Sequence, residues 1–304
     1  MAFLAAGAGA AAAGGAAALW PRPAAAARAP ACPPQPAAPA TVVAADGPLS
    51  LRLADGRTVR LAGLVVPADI AGAAEAAQAA LGAASAGRRA CILATGPADR
   101  WNRLPARVIW AEAAGPACLP PPQGGDGPAE ALVAGGLAVL FTAAGEAPSG
   151  NVPSGDIPAG DIPAGACAAA ASALPSLAAT EERARQAGRG LWAPEKGLVR
   201  RADDPHLARQ AGRFAVVEGQ VRSVGMAGKT FFLNFGSRWI IDFTVRIAES
   251  DRAGLAARGL DPETLAGRTV RVRGWLEERD GPQISLAAPA ALAPAEDPPG
   301  TGGR

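Results

Sequence analysis

Lysine is almost absent from this chain, which carries it only at Lys196 and Lys229. Nearly all positive charge is therefore arginine, and the 29 Lys+Arg and 27 Asp+Glu residues leave a formal net charge of only +2. Domains that bind nucleic acid strongly usually show a clear basic excess or a basic stripe. This balance excludes a strongly basic nucleic-acid-binding domain, and any contact with nucleic acid is expected to be local.

Histidine is equally scarce, because His206 is the only one, and a metal site built from several histidines is excluded. A Ser-His-Asp triad would have to use His206, but no G-x-S-x-G element accompanies it. The sequence also lacks a phosphate-binding P-loop and a dinucleotide fingerprint. No pair of cysteines has C-x-x-C spacing, which argues against a zinc site.

The four cysteines are Cys32, Cys91, Cys118 and Cys167. A disulfide is permitted if the protein is exported. Cys118 and Cys167 flank an insertion rich in Pro and Gly, and they are the candidate pair. Buried free thiols are the alternative, because connectivity cannot be read from spacing.

The N-terminal segment carries no charge between positions 2 and 20, and small residues follow at 24–27. This pattern is typical of a signal peptide, although no Lys or Arg precedes the apolar run. Residues 1–40 are predicted to be a signal peptide or anchor followed by a Pro/Ala linker. The protein is expected to be exported, periplasmic or extracellular, with membrane contact only through this segment. A disordered Ala/Pro-rich tail is the alternative.

Residues 41–66 alternate apolar and polar side chains, as a half-buried sheet does, and Asp55-Gly56 predicts a hairpin turn. Residues 146–165 repeat a pentapeptide, EAPSG-NVPSG-DIPAG-DIPAG. Such regular Pro and Gly cannot propagate a helix or a sheet ladder, so residues 144–166 are predicted to be a disordered insertion. The other predicted elements are helices at 69–87, 128–141 and 168–190, and strands at 89–96 and 104–113.

Three motifs occur in order along this part of the chain: ADGPLSLRLADGRTVRLAGLVVPA at 45–68, DRWNRLPARV at 99–108 and EERARQAGRGLW at 181–192. With the order of the predicted elements, they resemble the staphylococcal nuclease (thermonuclease-like) family. The resemblance covers residues 41–195. It implies a mainly β, α+β fold, an OB-fold nuclease-like barrel with packed helices, and calcium-dependent phosphodiester cleavage.

The catalytic positions that the resemblance implies carry other side chains here. Two family aspartates hold Ca²⁺ and a glutamate activates water, and Pro48, Val65 and Ala68 stand at these positions. The two family arginines that neutralise the phosphate match Arg60 and Arg103. Calcium needs several oxygen ligands, and loss of the base alone costs about 10²–10⁴-fold in rate. No metal cofactor is therefore expected, although the family uses Ca²⁺.

Two aspartates lie next to the vacated positions. Asp46 is a poor substitute because a one-residue shift turns a strand side chain to the other face, whereas Asp69 follows a turn and is the better candidate for recruitment. Arg60 and Arg103 are expected to be a remnant phosphate-binding pair or surface arginines. Trp101 is expected to stack on a base or to pack within its loop.

Residues 210–290 contain five short apolar strands with a helical connector at 261–266. This pattern suits a second, small OB-like β-barrel. OB barrels often bind single strands through aromatic and basic side chains, so the predicted nucleic-acid-binding residues here are Phe232, Trp239, Arg271 and Arg273. Core aromatics and solvated arginines are the alternative. Residues 291–304 are predicted to be a disordered tail.

We therefore expect an exported, thermonuclease-like pseudoenzyme that acts as a binding module for single-stranded nucleic acid or for an envelope protein. A weak metal-dependent phosphodiesterase with a rearranged site is the alternative. A structural envelope protein without a nucleic-acid role also fits the low net charge. Salt dependence distinguishes this possibility from nucleic-acid binding, because the affinity for phosphate falls steeply as the salt concentration rises, whereas the affinity for a protein partner need not.

Overall fold

The computed structural model describes residues 39–114, 118, 126–141, 174–238 and 241–295. Several expectations fall outside these described residues: those on the N-terminal segment up to residue 38, the insertion at 144–166, the tail from 296, Trp239, Cys32 and Cys167. The disordered tail predicted from residue 291 is wrong at its start, because Leu292–Pro294 form a paired strand and Leu292 is fully buried. None of the helices in the described ranges combines the length and the apolarity needed to cross a lipid bilayer.

Five strands of the first half form a closed barrel, called here the N-terminal barrel, in the order β1-β2-β3-β6-β5. β3 and β6 run parallel, whereas the other neighbours are antiparallel. Two further short strands, β4 and β7, pair antiparallel beside the barrel. The bounds are Ala40–Gly47 (β1), Ser50–Leu53 (β2), Thr58–Leu61 (β3), Leu64–Val65 (β4), Arg89–Ala94 (β5), Arg103–Trp110 (β6) and Val139–Leu140 (β7).

The alternation predicted for residues 41–66 is confirmed in β2 and β3, whose alternate side chains enter one core, whereas two register shifts interrupt it in β1. Val59 and Leu61 of β3 are buried there, and Arg60 between them is not. The predicted hairpin turn is also confirmed. Gly56 adopts a φ of 85°, and the Asp55 carboxylate accepts a hydrogen bond from the Arg57 backbone N–H at 3.0 Å.

In the described residues, four helices accompany the N-terminal barrel: Ala73–Ser85 (α1), Ala111–Ala114 (α2), Pro128–Ala134 (α3) and Leu174–Gln186 (α4). The single helix expected over 128–141 is wrong, because α3 ends before Gly135 and residues 139–140 form β7. Gly136 explains the break, since it has a φ of 66° and a Cβ there would lie 2.1 Å from the Arg189 carbonyl oxygen. Only glycine fits this close approach.

The second half forms a sheet, called here the C-terminal sheet, in the order β10-β11-β12-β14-β13-β9-β8, with β15 also paired to β13. Its five predicted strands correspond to β9, β11, β12, β13 and β14, although the third, predicted over residues 239–247, begins only at Thr244 in the described residues. The bounds are Val199–Arg201 (β8), Phe214–Gln220 (β9), Ser223–Ala227 (β10), Thr230–Asn234 (β11), Thr244–Ala248 (β12), Arg252–Ala256 (α5), Thr269–Glu278 (β13), Pro282–Ser285 (β14) and Leu292–Pro294 (β15).

The two halves share one strand order. β9 and β10 lie near opposite ends of the strand order of the C-terminal sheet, but only Val221 and Arg222 separate them along the chain. They are therefore counted here as one first strand. In both halves the order is then first, second, third, fifth and fourth strand, with the third and fifth parallel. A helix lies between the third and fourth strands in each case, α1 in the first and α5 in the second. The chain as a whole is a mixed α and β structure with several separate sheets.

The candidate disulfide between Cys118 and Cys167 is wrong, because Cys118 is bonded to Cys91. Cys91 lies on β5, and both half-cystines are buried with Leu93 and Ile109 in a small cluster on the outside of the barrel. The pair closes a loop of 27 residues that contains all of β6. Cys167 was chosen as the partner of Cys118 only because the two flank the insertion. The bonded partner, Cys91, is brought to Cys118 by its position on β5.

Candidate functional site

The structure places Arg60 and Arg103 on neighbouring strands of the N-terminal barrel. In the parallel pairing of β3 and β6, Thr58 lies beside Arg103 and Arg60 lies beside Pro105. Because the intervening side chains enter the core, both arginines belong to the outer face of the barrel, two residues apart along the strands. The two positions of the remnant phosphate-binding pair are thus brought together.

The loop before β6 fixes the side chain of Arg103. Its Nε donates to Asp99 Oδ2 at 2.8 Å, and its Nη2 lies 2.7 Å from the same oxygen. The other carboxylate oxygen accepts the backbone N–H groups of Trp101 and Arg103, each at 2.9 Å. Burial raises the pKa of Asp99, but the hydrogen bonds from Arg103 and Trp101 outweigh it and hold this pKa below its ordinary value. Asp99 is therefore an anion that orients Arg103 and offsets part of its charge.

Trp101 projects from this loop with 47% of its surface exposed. The guanidinium carbon of Arg100 lies 3.9 Å from the indole centroid, and that of Arg103 lies 4.7 Å from it. Such cation–π contacts hold an exposed ring in place at little cost. Trp101 is thus an exposed aromatic surface held by two cations, rather than a core side chain of its loop. We call Arg60, Arg100, Trp101 and Arg103 the Arg–Trp patch.

The positions at which the resemblance implies catalytic carboxylates provide no oxygen ligands from their side chains. Pro48 occupies the turn between β1 and β2, Val65 is buried in β4 with 6% exposure, and Ala68 is an exposed turn residue. In the ranges that the structure describes, no group of three or more His, Cys, Asp or Glu side chains is placed to hold a metal ion. The residues at this site therefore do not fit the calcium that the resemblance implies.

The two aspartates considered for recruitment are both engaged with arginines. Asp46 Oδ1 lies 3.5 Å from Arg52 Nη1 on β2, and Asp69 Oδ2 lies 3.6 Å from Arg213 Nη1, just before β9. The second contact joins the N-terminal barrel to the C-terminal sheet. Recruitment of either aspartate by a metal would have to compete with these ion pairs.

Arg271 and Arg273 do not lie on an open binding face, and their predicted role in nucleic-acid binding conflicts with this placement. Both are nearly buried on β13. Arg271 pairs with Glu218 through its Nε, and its Nη1 lies 3.6 Å from Glu182. Arg273 Nη1 donates to Glu181 Oε2 at 2.7 Å and to the Leu140 carbonyl at 2.8 Å.

The alternation of β13 correctly puts Arg271 and Arg273 on one face. Nothing in the sequence indicates that α4 of the first half covers this face, so the contact was missed. Phe232 lies on a different part of the sheet, half-buried beside Arg246 on β12, with 5.9 Å between guanidinium carbon and ring centroid. Of the predicted residues of the second half, those that the structure describes, Phe232, Arg271 and Arg273, do not form one site.

Sequence reasoning missed Arg100 and Arg246, although each had a detectable pattern. Arg100 directly precedes an exposed tryptophan within DRWNR. Arg246 alternates with Val245 and Ile247, which are both fully buried, so its outward position was predictable.

Comparison with known proteins identifies no relative: no family model matches the chain, and no curated protein matches its sequence. A function therefore has to be inferred from the residues and their geometry.

Proposed function

We propose that this protein is a non-catalytic relative of the staphylococcal nuclease-like family that binds single-stranded nucleic acid through the Arg–Trp patch. One observation carries the proposal. Arg60 and Arg103 lie two residues apart on neighbouring strands of the outer face of the barrel, and Arg103 contacts the exposed Trp101, whereas Pro48, Val65 and Ala68 offer no side-chain oxygen. Phosphate-facing groups are retained, and the groups that would cleave the phosphodiester are gone.

The order of elements supports the family relationship. The resemblance implies strands, a helix, a strand pair and two further helices, and the N-terminal barrel with α1, α3 and α4 follows this order apart from the short α2. We propose that this barrel is an OB-fold. The shared strand order and the parallel third and fifth strands support an OB-like assignment for the C-terminal sheet as well.

The chemistry of the patch suits a single strand better than a duplex. An exposed indole stacks on any unpaired base, and planar guanidinium groups match phosphate geometry. Paired bases are not free to stack on Trp101. Because Asp99 neutralises part of Arg103 and the net charge is only +2, the affinity is expected to be modest.

The binding test uses the full chain and a labelled single-stranded 20-mer, titrated at several salt concentrations. Trp101→Ala is expected to weaken binding about fivefold or more, since base stacking contributes roughly 1–3 kcal/mol. Arg60→Ala is expected to lower the slope of log K against log salt by about one, as loss of one phosphate contact does. A duplex of the same sequence should bind more weakly.

Arg57→Ala is the matched control, because Arg57 is an exposed arginine of the same barrel that pairs with Asp55 in the hairpin turn. It should bind like the wild type. Binding that ignores salt and is unchanged in Trp101→Ala and Arg60→Ala would contradict the proposal and favour a protein partner.

We also propose that the protein is exported. The disulfide between Cys91 and Cys118 supports this, because disulfides persist mainly in oxidising compartments.

A further inference from the structure

The two halves of the chain meet in a shared apolar cluster, called here the junction cluster. It contains residues of β4, α1, β7, α4, the turn after α4, and β9. The Phe141 and Phe214 rings lie 5.3 Å apart across the junction, and the Phe214 and Trp275 rings 5.7 Å apart. Its buried members are Val65, Ala73, Val139, Phe141, Ala184, Leu191, Trp192, Leu198, Phe214 and Val216.

The segment from 65 to 73 provides one side of this cluster. Val65 and Ala73 are buried in it, and Val66 and Ile70 pack against it from the edge. Within the same segment, Asp69 reaches Arg213 of the second half at 3.6 Å. We call residues 65–73 the docking segment.

Ion pairs fix the junction on another side. Glu181 of α4 is 5% exposed, and its Oε1 accepts the Leu140 backbone N–H of β7 at 2.7 Å. Its other oxygen accepts from Arg273 of β13. Arg273 also reaches the Leu140 carbonyl, so one arginine of the second half binds both α4 and β7. These contacts hold β7, and with it the paired strand β4, against the C-terminal sheet.

We infer that the docking segment is the surface on which the C-terminal sheet is seated, and that the position which would have carried a metal aspartate, Val65, is now part of an intramolecular interface. Val65 stands at that former position only if the proposed family relationship holds, and the exposed Ala68 lies outside the junction cluster. The docking itself is inferred from the contacts in the structure and does not depend on the family relationship. Aspartate at position 65 would place an unpaired charge in the junction cluster, so the apolar residue there stabilises the docked arrangement.

Hydrogen exchange of the full chain, followed by mass spectrometry, tests the docking without any activity measurement. Phe214→Leu removes ring contacts at the junction, and amides of residues 64–73 are expected to exchange about tenfold faster, as in a local opening. Phe243→Leu is the matched control, because Phe243 is buried within the core of the second half and outside the junction cluster. It should leave amides 64–73 within about twofold of the wild type.

A charge reversal provides a second variant if Phe214→Leu does not fold. Asp69→Arg puts like charges together at the edge of the junction, and exchange at 64–73 is expected to rise by about two- to fivefold. Asp69→Arg combined with Arg213→Asp should restore it. Equal effects of Phe214→Leu and Phe243→Leu on amides 64–73, or no rescue in the charge swap, would overturn the inference. Nucleic-acid cleavage by the wild type would overturn the proposed function and leave the docking result standing.

Discussion

Glu181→Ala is expected to lower the free energy of unfolding by about 3–5 kcal/mol, the usual effect of removing one partner from a buried ion pair. Glu181 accepts hydrogen bonds from Leu140 and Arg273, both at 2.7 Å. Alanine would leave the buried Leu140 N–H without this acceptor and the Arg273 charge without its acid. Urea unfolding of the full chain measures the change.

Glu182 provides the control at the neighbouring position of α4. Its side chain is 42% exposed, although it also pairs with Arg185 and Arg271. Because exposed ion pairs contribute little, Glu182→Ala should cost roughly 1 kcal/mol or less. A double-mutant cycle between Glu181→Ala and Arg273→Ala should give a coupling above about 1 kcal/mol. If the free energy of unfolding of Glu181→Ala lies within about 1 kcal/mol of the wild-type value, the junction does not depend on this ion pair.

Val65→Asp is expected to destabilise the protein by at least about 3 kcal/mol and to confer no calcium-dependent activity. This substitution restores the aspartate that the family resemblance implies, but it places a carboxylate among the apolar side chains of the junction cluster. A buried carboxylate without a partner is strongly unfavourable. Urea unfolding with and without Ca²⁺ provides the measurement.

Val199→Asp is the matched control for Val65→Asp, because Val199 on β8 is 38% exposed. Its effect should stay within about 0.5 kcal/mol, as for ordinary surface substitutions. Unchanged stability of Val65→Asp would contradict the burial of this position in the junction cluster, and a marked stabilisation by Ca²⁺ would show that position 65 faces a usable metal site.

The local structure of the chain was largely predictable from its sequence. The hairpin at Asp55-Gly56 and the main strands of both halves follow from alternation and turn chemistry, which depend on neighbouring residues, whereas β7, β8, β10 and β15 were not predicted. The break between α3 and β7 was not predicted. Its cause is the approach of the Arg189 backbone to Gly136, a contact between residues far apart in the chain.

The candidate site shows the same division. The pattern of Arg60 and Arg103 could be read from motifs, and the barrel register brings them together. The burial of Arg271 and Arg273 could not be read, because a solvated arginine pair and an arginine pair facing α4 have the same alternation. The pairing of Cys91 with Cys118 depended on strand positions in three dimensions rather than on spacing.

We expect the N-terminal barrel to bind nucleic acid at the Arg–Trp patch without cleaving it. The most direct measurement incubates the full chain with single- and double-stranded DNA and RNA, with Ca²⁺, Mg²⁺ or Mn²⁺ and without metal, beside the Arg60→Ala/Arg103→Ala variant. We expect no cleavage that depends on metal and on these arginines. Metal-dependent cleavage that disappears in the double variant would contradict this account, and would indicate that Asp46 or Asp69 leaves its arginine to serve as a ligand.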